Sequence, residues 1–344
     1  MEKLTINMIT EIPYLKRIFK GSNFWGGTET SFELIKEKLA SEGNEVLVNS
    51  NREDFDVMHI FTYFFYAYYL MMRFKGEKPI VVHSNTTPAD IRMSVPFDRL
   101  ILQLARPYLK RFYNGVDLII CVSDYARGSL RGLGVKARMT KLPHGVDLGV
   151  MKYSKDKEEL FRQRFDLRED DPVVLSVGHL IPRKGIRTFF NIAKKLPDAK
   201  FFWVGPFLIS LNPEIGSIIN SRQNNLTFTG YLDDIVSAYS ACDVFVFPSY
   251  SENFGIPLIE AAACKKPILV RDIPSYSWLT HEVDCLKARN DDEFVAYTKR
   301  LLEDEELRNN LIREGFRKAE EHDIGRVVKR LIEQYRSLMT GREE

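Results

Sequence analysis

The chain has little of what would mark a metal cage, a disulfide framework or a membrane span. Its four cysteines, Cys121, Cys242, Cys264 and Cys285, stand more than twenty residues apart, and none forms a C-x-x-C pair. That spacing supports neither a zinc site nor a set of bridges and points to buried free thiols in a reducing compartment. The longest apolar stretch, YFFYAYYLMM at 63–72, is far below the roughly 20 residues that span a bilayer. Met1–Ile6 runs straight into a strand-like segment, without the charged, apolar and cleavage regions of a signal peptide. No G-x-G-x-x-G follows a strand, which argues against a dinucleotide-dependent dehydrogenase. None of the common nucleic-acid reading motifs is visible, so a nucleic-acid partner is not expected. These absences lead to the expectation of a cytoplasmic protein that does not cross the membrane.

Net charge is also small, +2 over 344 residues, but its distribution is uneven. Residues 61–141 hold 13 basic and 5 acidic side chains, a surplus that attracts phosphates or anionic lipid. A chain of this length exceeds what one core serves, so two domains are expected. The pattern of apolar run, glycine-bearing loop and amphipathic segment occurs twice. The runs LTINMI, EVLVNS, DVMHIF, IVVHSN and LIICVS are followed by VVLSVG, KFFWVG, LTFTG, DVFVFP and PILVRD. This predicts α/β architecture: two Rossmann-like, doubly wound parallel-sheet domains facing a cleft, with ligands outside the carboxyl ends of the strands. The charged stretch after Asp147, KYSKDKEELFRQRFDLREDD, loses apolar periodicity and reads as the linker. We therefore expect domains at 1–165 and 166–322. A helix at 323–344, with Val327, Leu331 and Tyr335 at spacing four, is expected to pack back on the first.

Within SENFGIPLIE, residues 251–260, Pro248 stops the preceding strand and Pro257 suits the first turn of a helix. The loop is then a strand-to-helix turn whose amides and positive helix end make an anion site suited to a diphosphate. Glu252 lies before the helix and can reach hydroxyls beside the phosphate, whereas Glu260, about one turn in, can chelate a ribose diol. SVGHLIPRKGI puts Arg183 and Lys184 after another strand, where two cations would neutralise a diphosphate leaving group. WGGTE, 25–29, is a double-glycine turn opening a helix, where backbone amides can approach a phosphate. His83 ends the strand in VVHSNTTPAD and can meet a sugar hydroxyl or serve as a structural histidine. The acidic pair in DFD, 54–56, sits at a strand entry, so no metal is expected there.

The ordered set GGTE, VVH, CVSDY, HGVD, VGHLIPRKG and E-N-F-G-I-x-x-x-E resembles glycosyltransferase family 4 over nearly the whole chain. The resemblance implies the GT-B fold, transfer with retention of configuration, and a nucleotide sugar such as UDP-glucose as donor, with no obligatory metal or other cofactor. It implies that Glu252 holds donor-sugar hydroxyls with help from the backbone of Asn253, Phe254 and Gly255. Ile256 would open the helix facing the diphosphate, and Glu260 would bind the ribose. Lys184 would neutralise the leaving phosphate, Gly27 would touch it, His83 would approach the sugar, and Tyr231 would lie near the base. His179 stands where the family has arginine, a clamp Arg183 is expected to replace, and Asn253 stands where it has glycine. HSNTTPADIRMS, GYLDDIVSAYSACDVFVFPSY and CKKPILVRDIPSY look most like enzymes that glycosylate diacylglycerol-type lipids. The aromatic and basic segments YFFYAYYLMMRFK and LILQLARPYLKRFYNG favour peripheral attachment to an anionic membrane surface. A soluble sugar or sugar-phosphate acceptor, and a non-catalytic nucleotide-sugar-binding protein, are the alternatives.

Overall fold

The structure, a computed structural model, describes residues 3–13, 26–85, 87, 98–206, 213–221 and 223–341. Most of HSNTTPADIRMS lies outside the described residues, as does the segment leading into the double glycine. The chain divides into two units, Met1–Gly145 with Ile324–Glu344, and Val146–Asp323.

In the first unit, strands β1 (Thr5–Ile9), β2 (Glu45–Val48), β3 (Val57–Ile60), β4 (Ile80–His83), β5 (Leu118–Cys121) and β6 (Met139–Lys141) form a sheet in the order β2-β1-β3-β4-β5-β6. All pairings are parallel. β3, β4 and β5 are buried along their whole length, as expected when helices cover both faces. The two-residue alternation of a strand sorts their side chains. Met58, Ile60, Ile80 and Val82 join Leu70 and Phe74 of α2 (Phe65–Phe74) and Leu109 and Phe112 of α3 (Asp98–Tyr113). Val57, Val81 and Ile120 join Phe32, Ile35 and Leu39 of α1 (Gly27–Ser41) on the opposite face. There they also meet Val327, Leu331 and Tyr335 of α12 (Ile324–Thr340), so this helix completes the core of the first unit. Helix α4 (Asp124–Gly132) follows β5 and puts Leu130 into the cluster that holds α2 and α3. Among the described residues no helix is long and apolar enough to cross a membrane.

In the second unit, β7 (Val173–Val177), β8 (Lys200–Val204), β9 (Leu226–Gly230), β10 (Val244–Phe247), β11 (Ile268–Arg271) and β12 (Leu286–Ala288) are parallel and run β12-β11-β10-β7-β8-β9. Strand order reverses between β7 and β10, the point at which doubly wound sheets open a crevice at the carboxyl ends. Helices α6 (Ile186–Lys195), α7 (Pro213–Asn220), α10 (Asp291–Glu303) and α11 (Glu305–Glu321) contribute to the core with β7, β8 and β10. The remaining helices are α5 (Lys155–Arg164), α8 (Ile235–Ala241) and α9 (Ile256–Ala263).

The expected boundary at 165/166 moves to 145/146. The segment read as a linker contains α5, which is part of the second unit. The physical reason is that its few apolar groups are well placed and its charges are used. Phe161 packs edge-on to Phe202 at 5.1 Å. The Arg162 guanidinium donates to the carbonyls of Arg168 and Asp171 at 2.9 and 3.1 Å, and Lys157 pairs with Asp234 at 2.9 Å.

Candidate functional site

In the second unit the switch point brings together the loops after β7 and β10. After β7 the chain makes a single 3-10 turn, Pro182–Lys184, and passes through Gly185 into α6. Gly185 has φ +80°, and a Cβ there would sit 2.2 Å from the Pro248 carbonyl oxygen, so only glycine lets the two loops approach this closely. After β10, Pro248 and Ser249 lead to Glu252, and Gly255 at φ +90° turns the chain into α9 with Pro257 in its first turn. The N-cap of α9 is Gly255, which has no side chain to cap it, and the positive end of a helix favours an anion.

This packing places Lys184 Nζ 2.5 Å from Glu252 Oε1, with both side chains nearly buried. Arg183 Nη1 lies 3.4 Å from the same oxygen and donates to the Ser251 carbonyl at 2.6 Å. The guanidinium expected to stand in for the family's diphosphate clamp is thus engaged with the loop that carries Glu252. Ser275 Oγ donates to the Glu252 carbonyl at 2.5 Å, fixing the backbone from a third side. Burial opposes ionisation of Glu252, but Lys184 and Arg183 outweigh it and hold its carboxyl below the usual glutamate range. Glu252 is therefore an acceptor-only group at neutral pH, and Lys184 contributes a desolvated positive charge that also lies over the Phe247 ring at 5.2 Å.

Glu260 is one turn into α9. The buried Tyr239 hydroxyl, from α8, donates to its Oε2 at 2.8 Å. Burial pushes the Glu260 carboxyl above its usual range, and the hydrogen bond from Tyr239 works against that. Asn253 and Phe254 are buried, and Phe254 stacks on Trp278 at 4.9 Å. His179 follows Gly178 after β7, and Tyr231 follows Gly230 at the end of β9, both partly buried.

Gly27 and His83 belong to the first unit. Gly27 opens α1 with Gly26 as its extended, uncapped neighbour. His83 ends β4, buried in a stack with Phe61, His59 and His144 at 5.2, 5.5 and 5.5 Å between centroids. Neither His83 ring nitrogen has a hydrogen-bond partner among the described residues. Its neighbours are held from outside the stack: His59 Nδ1 meets the Tyr335 hydroxyl at 2.6 Å and His144 Nδ1 meets Ser31 Oγ of α1 at 3.0 Å. Burial first, and the two neighbouring imidazoles second, push His83 well below its usual range, so it is neutral.

The sequence reading missed Tyr239, Ser275 and His59, and it read Tyr335 only as a packing position of the last helix, not as the partner of His59. Tyr239 stands 21 positions before Glu260 on another helix, a separation that no spacing rule connects. The residues of DFD are structural: Asp54 pairs with Arg52, and Asp56 accepts from the Thr5 amide at 2.7 Å. No group of three His, Cys, Asp or Glu side chains that could hold a metal exists among the described residues.

A family model described as glycosyl transferases group 1 matches residues 157–318, and one described as glycosyltransferase family 4 matches residues 49–150. The chain is 31% identical over 272 residues to a processive diacylglycerol alpha-glucosyltransferase of Acholeplasma laidlawii, covering 78% of this chain and 81% of that protein. It is 28% identical to an alpha-galactosylglucosyldiacylglycerol synthase of Streptococcus pneumoniae, covering 71% and 68%. In fold it is similar to Alr3699/HepE of Anabaena, solved with UDP and glucose, at TM-score 0.79 and 18% identity over 97% of this chain and all of that one. Sucrose-phosphate synthase of Thermosynechococcus elongatus gives TM-score 0.81 at 19% identity, over 98% of this chain and all of the other.

Proposed function

The chain belongs to glycosyltransferase family 4, a hexosyltransferase of GT-B fold, and from that premise we propose that it transfers a hexose from a nucleoside-diphosphate sugar to a hydroxyl of a diacylglycerol-type lipid with retention of configuration. The observation that carries this reading is the buried Lys184–Glu252 pair at the switch point of the second sheet. Ionised Glu252 receives hydroxyls of the donor sugar. Lys184 and the amides opening α9 stabilise the charge that grows on the diphosphate, and Glu260 binds the ribose. Asn253, Phe254, Gly255 and Ile256 line the diphosphate turn, with Arg183 bracing it, and His179 and Tyr231 approach the nucleotide. Gly27 and the amides of α1 serve the diphosphate, and neutral His83 donates to or accepts from a sugar hydroxyl. In the transfer, the acceptor oxygen bonds to the anomeric carbon on the face the leaving group departs. The carbon–oxygen bond to the diphosphate breaks with its electron pair, and the diphosphate oxygen takes the acceptor's proton.

A lipid acceptor is supported by the names of the two relatives and by the surface of α2 and α3. Phe65, Tyr69 and Leu104 are 85, 59 and 73% exposed there, beside Arg73, Lys75, Arg106, Lys110 and Arg111. Exposed apolar groups among cations suit peripheral attachment at the inner, anionic face of a membrane. The test offers UDP-glucose and other nucleotide sugars with diacylglycerol in vesicles or with soluble sugars. Transfer to the lipid, abolished by Glu252→Ala with nucleotide binding retained, is the expected result. Transfer only to soluble sugars would replace the acceptor assignment, and equal response to every donor would overturn the reading. Flotation with anionic vesicles, weakened by salt, is expected; no salt-sensitive flotation would remove the membrane.

A further inference from the structure

Arg271, at the end of β11, lies next to the proposed site; it falls within CKKPILVRDIPSY, a segment that bore on the acceptor class and gave Arg271 itself no role. Its guanidinium is buried and sandwiched, 4.0 Å from the Tyr250 ring centre and 5.1 Å from that of Phe294 on α10. Nε donates to the Pro248 carbonyl at 3.0 Å and Nη2 donates to Thr188 Oγ1 at 2.8 Å. Thr188 Oγ1 is 2.7 Å from Asp291 Oδ1 and 3.2 Å from the Tyr250 hydroxyl. A threonine hydroxyl has one proton and two lone pairs. It therefore donates to the Asp291 carboxylate and accepts from both Arg271 and Tyr250, which fills its capacity. Asp291 Oδ2 in turn accepts from Asn191 of α6 at 2.8 Å. The buried cation is thus compensated one residue away, through a hydroxyl, and makes no direct contact with a carboxylate among the described residues.

Such an arrangement is costly to build, because a buried guanidinium loses its hydration. What it holds explains its place. Pro248 is the residue from which the Glu252 loop leaves β10, and its carbonyl is the atom against which Gly185 packs. Thr188 is in the first turn of α6, the helix that starts directly after Lys184 and Gly185. Tyr250, whose amide donates to the Arg183 carbonyl at 2.8 Å, closes the circuit between the two loops. One side chain therefore reaches the carbonyl root of the Glu252 loop and, through Thr188, the helix that carries the Lys184 turn.

We infer that Arg271 is a positioning residue for the transfer reaction, registering the Lys184 and Glu252 loops against each other from beneath without touching the donor. This rests on the proposed function, and the test separates the two. Arg271→Met keeps bulk and removes the charge, Arg271→Lys keeps the charge and removes the fork, and Thr188→Val removes the relay while leaving the cation. Because a misplacement of about 1 Å can cost on the order of 100-fold in rate, Arg271→Met is expected to lower kcat about 10- to 100-fold. The dissociation constant for UDP, or for whichever nucleotide the wild type binds, should stay within about threefold, since the α9 end is untouched. Arg271→Lys should fail to rescue, and Thr188→Val should lower kcat to a smaller extent. The acid limb of kcat/KM should move to higher pH as Lys184 and Glu252 separate. Wild-type kcat in Thr188→Val and Arg271→Lys, with thermal stability alone reduced, would overturn the inference even if Arg271→Met does not fold. Absence of transfer by the wild type with every donor would instead overturn the proposed function.

Discussion

Replacing Lys184 by methionine removes the cation 2.5 Å from Glu252 and leaves a carboxylate in a site where both side chains were almost out of solvent. Deleting one member of a buried ion pair costs about 3–5 kcal/mol, because the other charge stays desolvated. Arg183 remains 3.4 Å away and keeps part of the field, so the lower end, about 3 kcal/mol, is expected. For a domain of this size that corresponds to a fall in Tm of about 6–12 °C. The loss should depend on pH in a defined direction. In the wild type the Glu252 carboxyl lies below its unfolded value, so its stabilisation is present above that value and is lost as pH falls through the folded one. Without Lys184, burial dominates and raises the folded value, so the carboxyl is protonated more readily in the folded state. The gap in stability between the two proteins should then be widest near neutral pH and shrink on acidification. Calorimetry at pH 7 and near pH 4, with Lys184→Met/Glu252→Gln as a third protein, measures this. The double variant should recover to within about 1 kcal/mol of wild type, since neither buried charge remains. A gap that does not change with pH, or a double variant no more stable than Lys184→Met, would refute the pair as the dominant interaction.

Glu252→Gln should mainly depress turnover and Glu260→Gln should mainly weaken donor binding, the latter by about 1–3 kcal/mol in titration calorimetry, as for a lost hydrogen bond to a charged group. Tyr239→Phe should weaken donor binding in the same direction by about 1 kcal/mol, since it frees the carboxylate it now orients. Gly185→Ala drives a Cβ to 2.2 Å from the Pro248 oxygen at φ +80° and should cost about 3 kcal/mol or more in urea unfolding. Gly128→Ala, where an added Cβ meets nothing within 4 Å on helix α4, should stabilise by about 0.5–1 kcal/mol. Tyr335→Phe strands the His59 Nδ1 it now meets at 2.6 Å and should lower stability by about 1–3 kcal/mol.

The parallel strands and their helices were legible because fully buried strands leave unbroken apolar runs and each ends in glycine, proline or a polar turn. The Glu252 turn was legible because a loop, a proline and a helix start fall within ten contiguous residues. Contacts between elements were not. Tyr239 with Glu260, Arg271 with Pro248, and His59 with Tyr335 depend on strand order, which periodicity does not encode. The domain boundary was misplaced for a different reason. Charge density in 152–171 resembled a solvated linker, yet Phe161 on a face of α5 and Arg162 capping carbonyls suffice to dock a short helix. Counting charges gives no information on whether those charges have partners.

The return of α12 to the first core bears on how the polypeptide is made. The second unit is one uninterrupted stretch, Val146–Asp323, so everything it needs has been synthesised by the time residue 323 emerges from a ribosome. The first unit is translated earlier but lacks Val327, Leu331 and Tyr335 until the end, and His59 meets a hydroxyl 276 positions downstream. Non-local closure of this kind is slow, and it reverses the order of maturation relative to the order of synthesis. A chain made as far as Asp323 has a complete second unit and a first sheet whose α1-bearing face lacks α12, and in that state exposed apolar surface invites aggregation or chaperone binding. Supplying the 324–341 segment in trans to a chain stopped at Asp323 would show whether the first unit can be completed late.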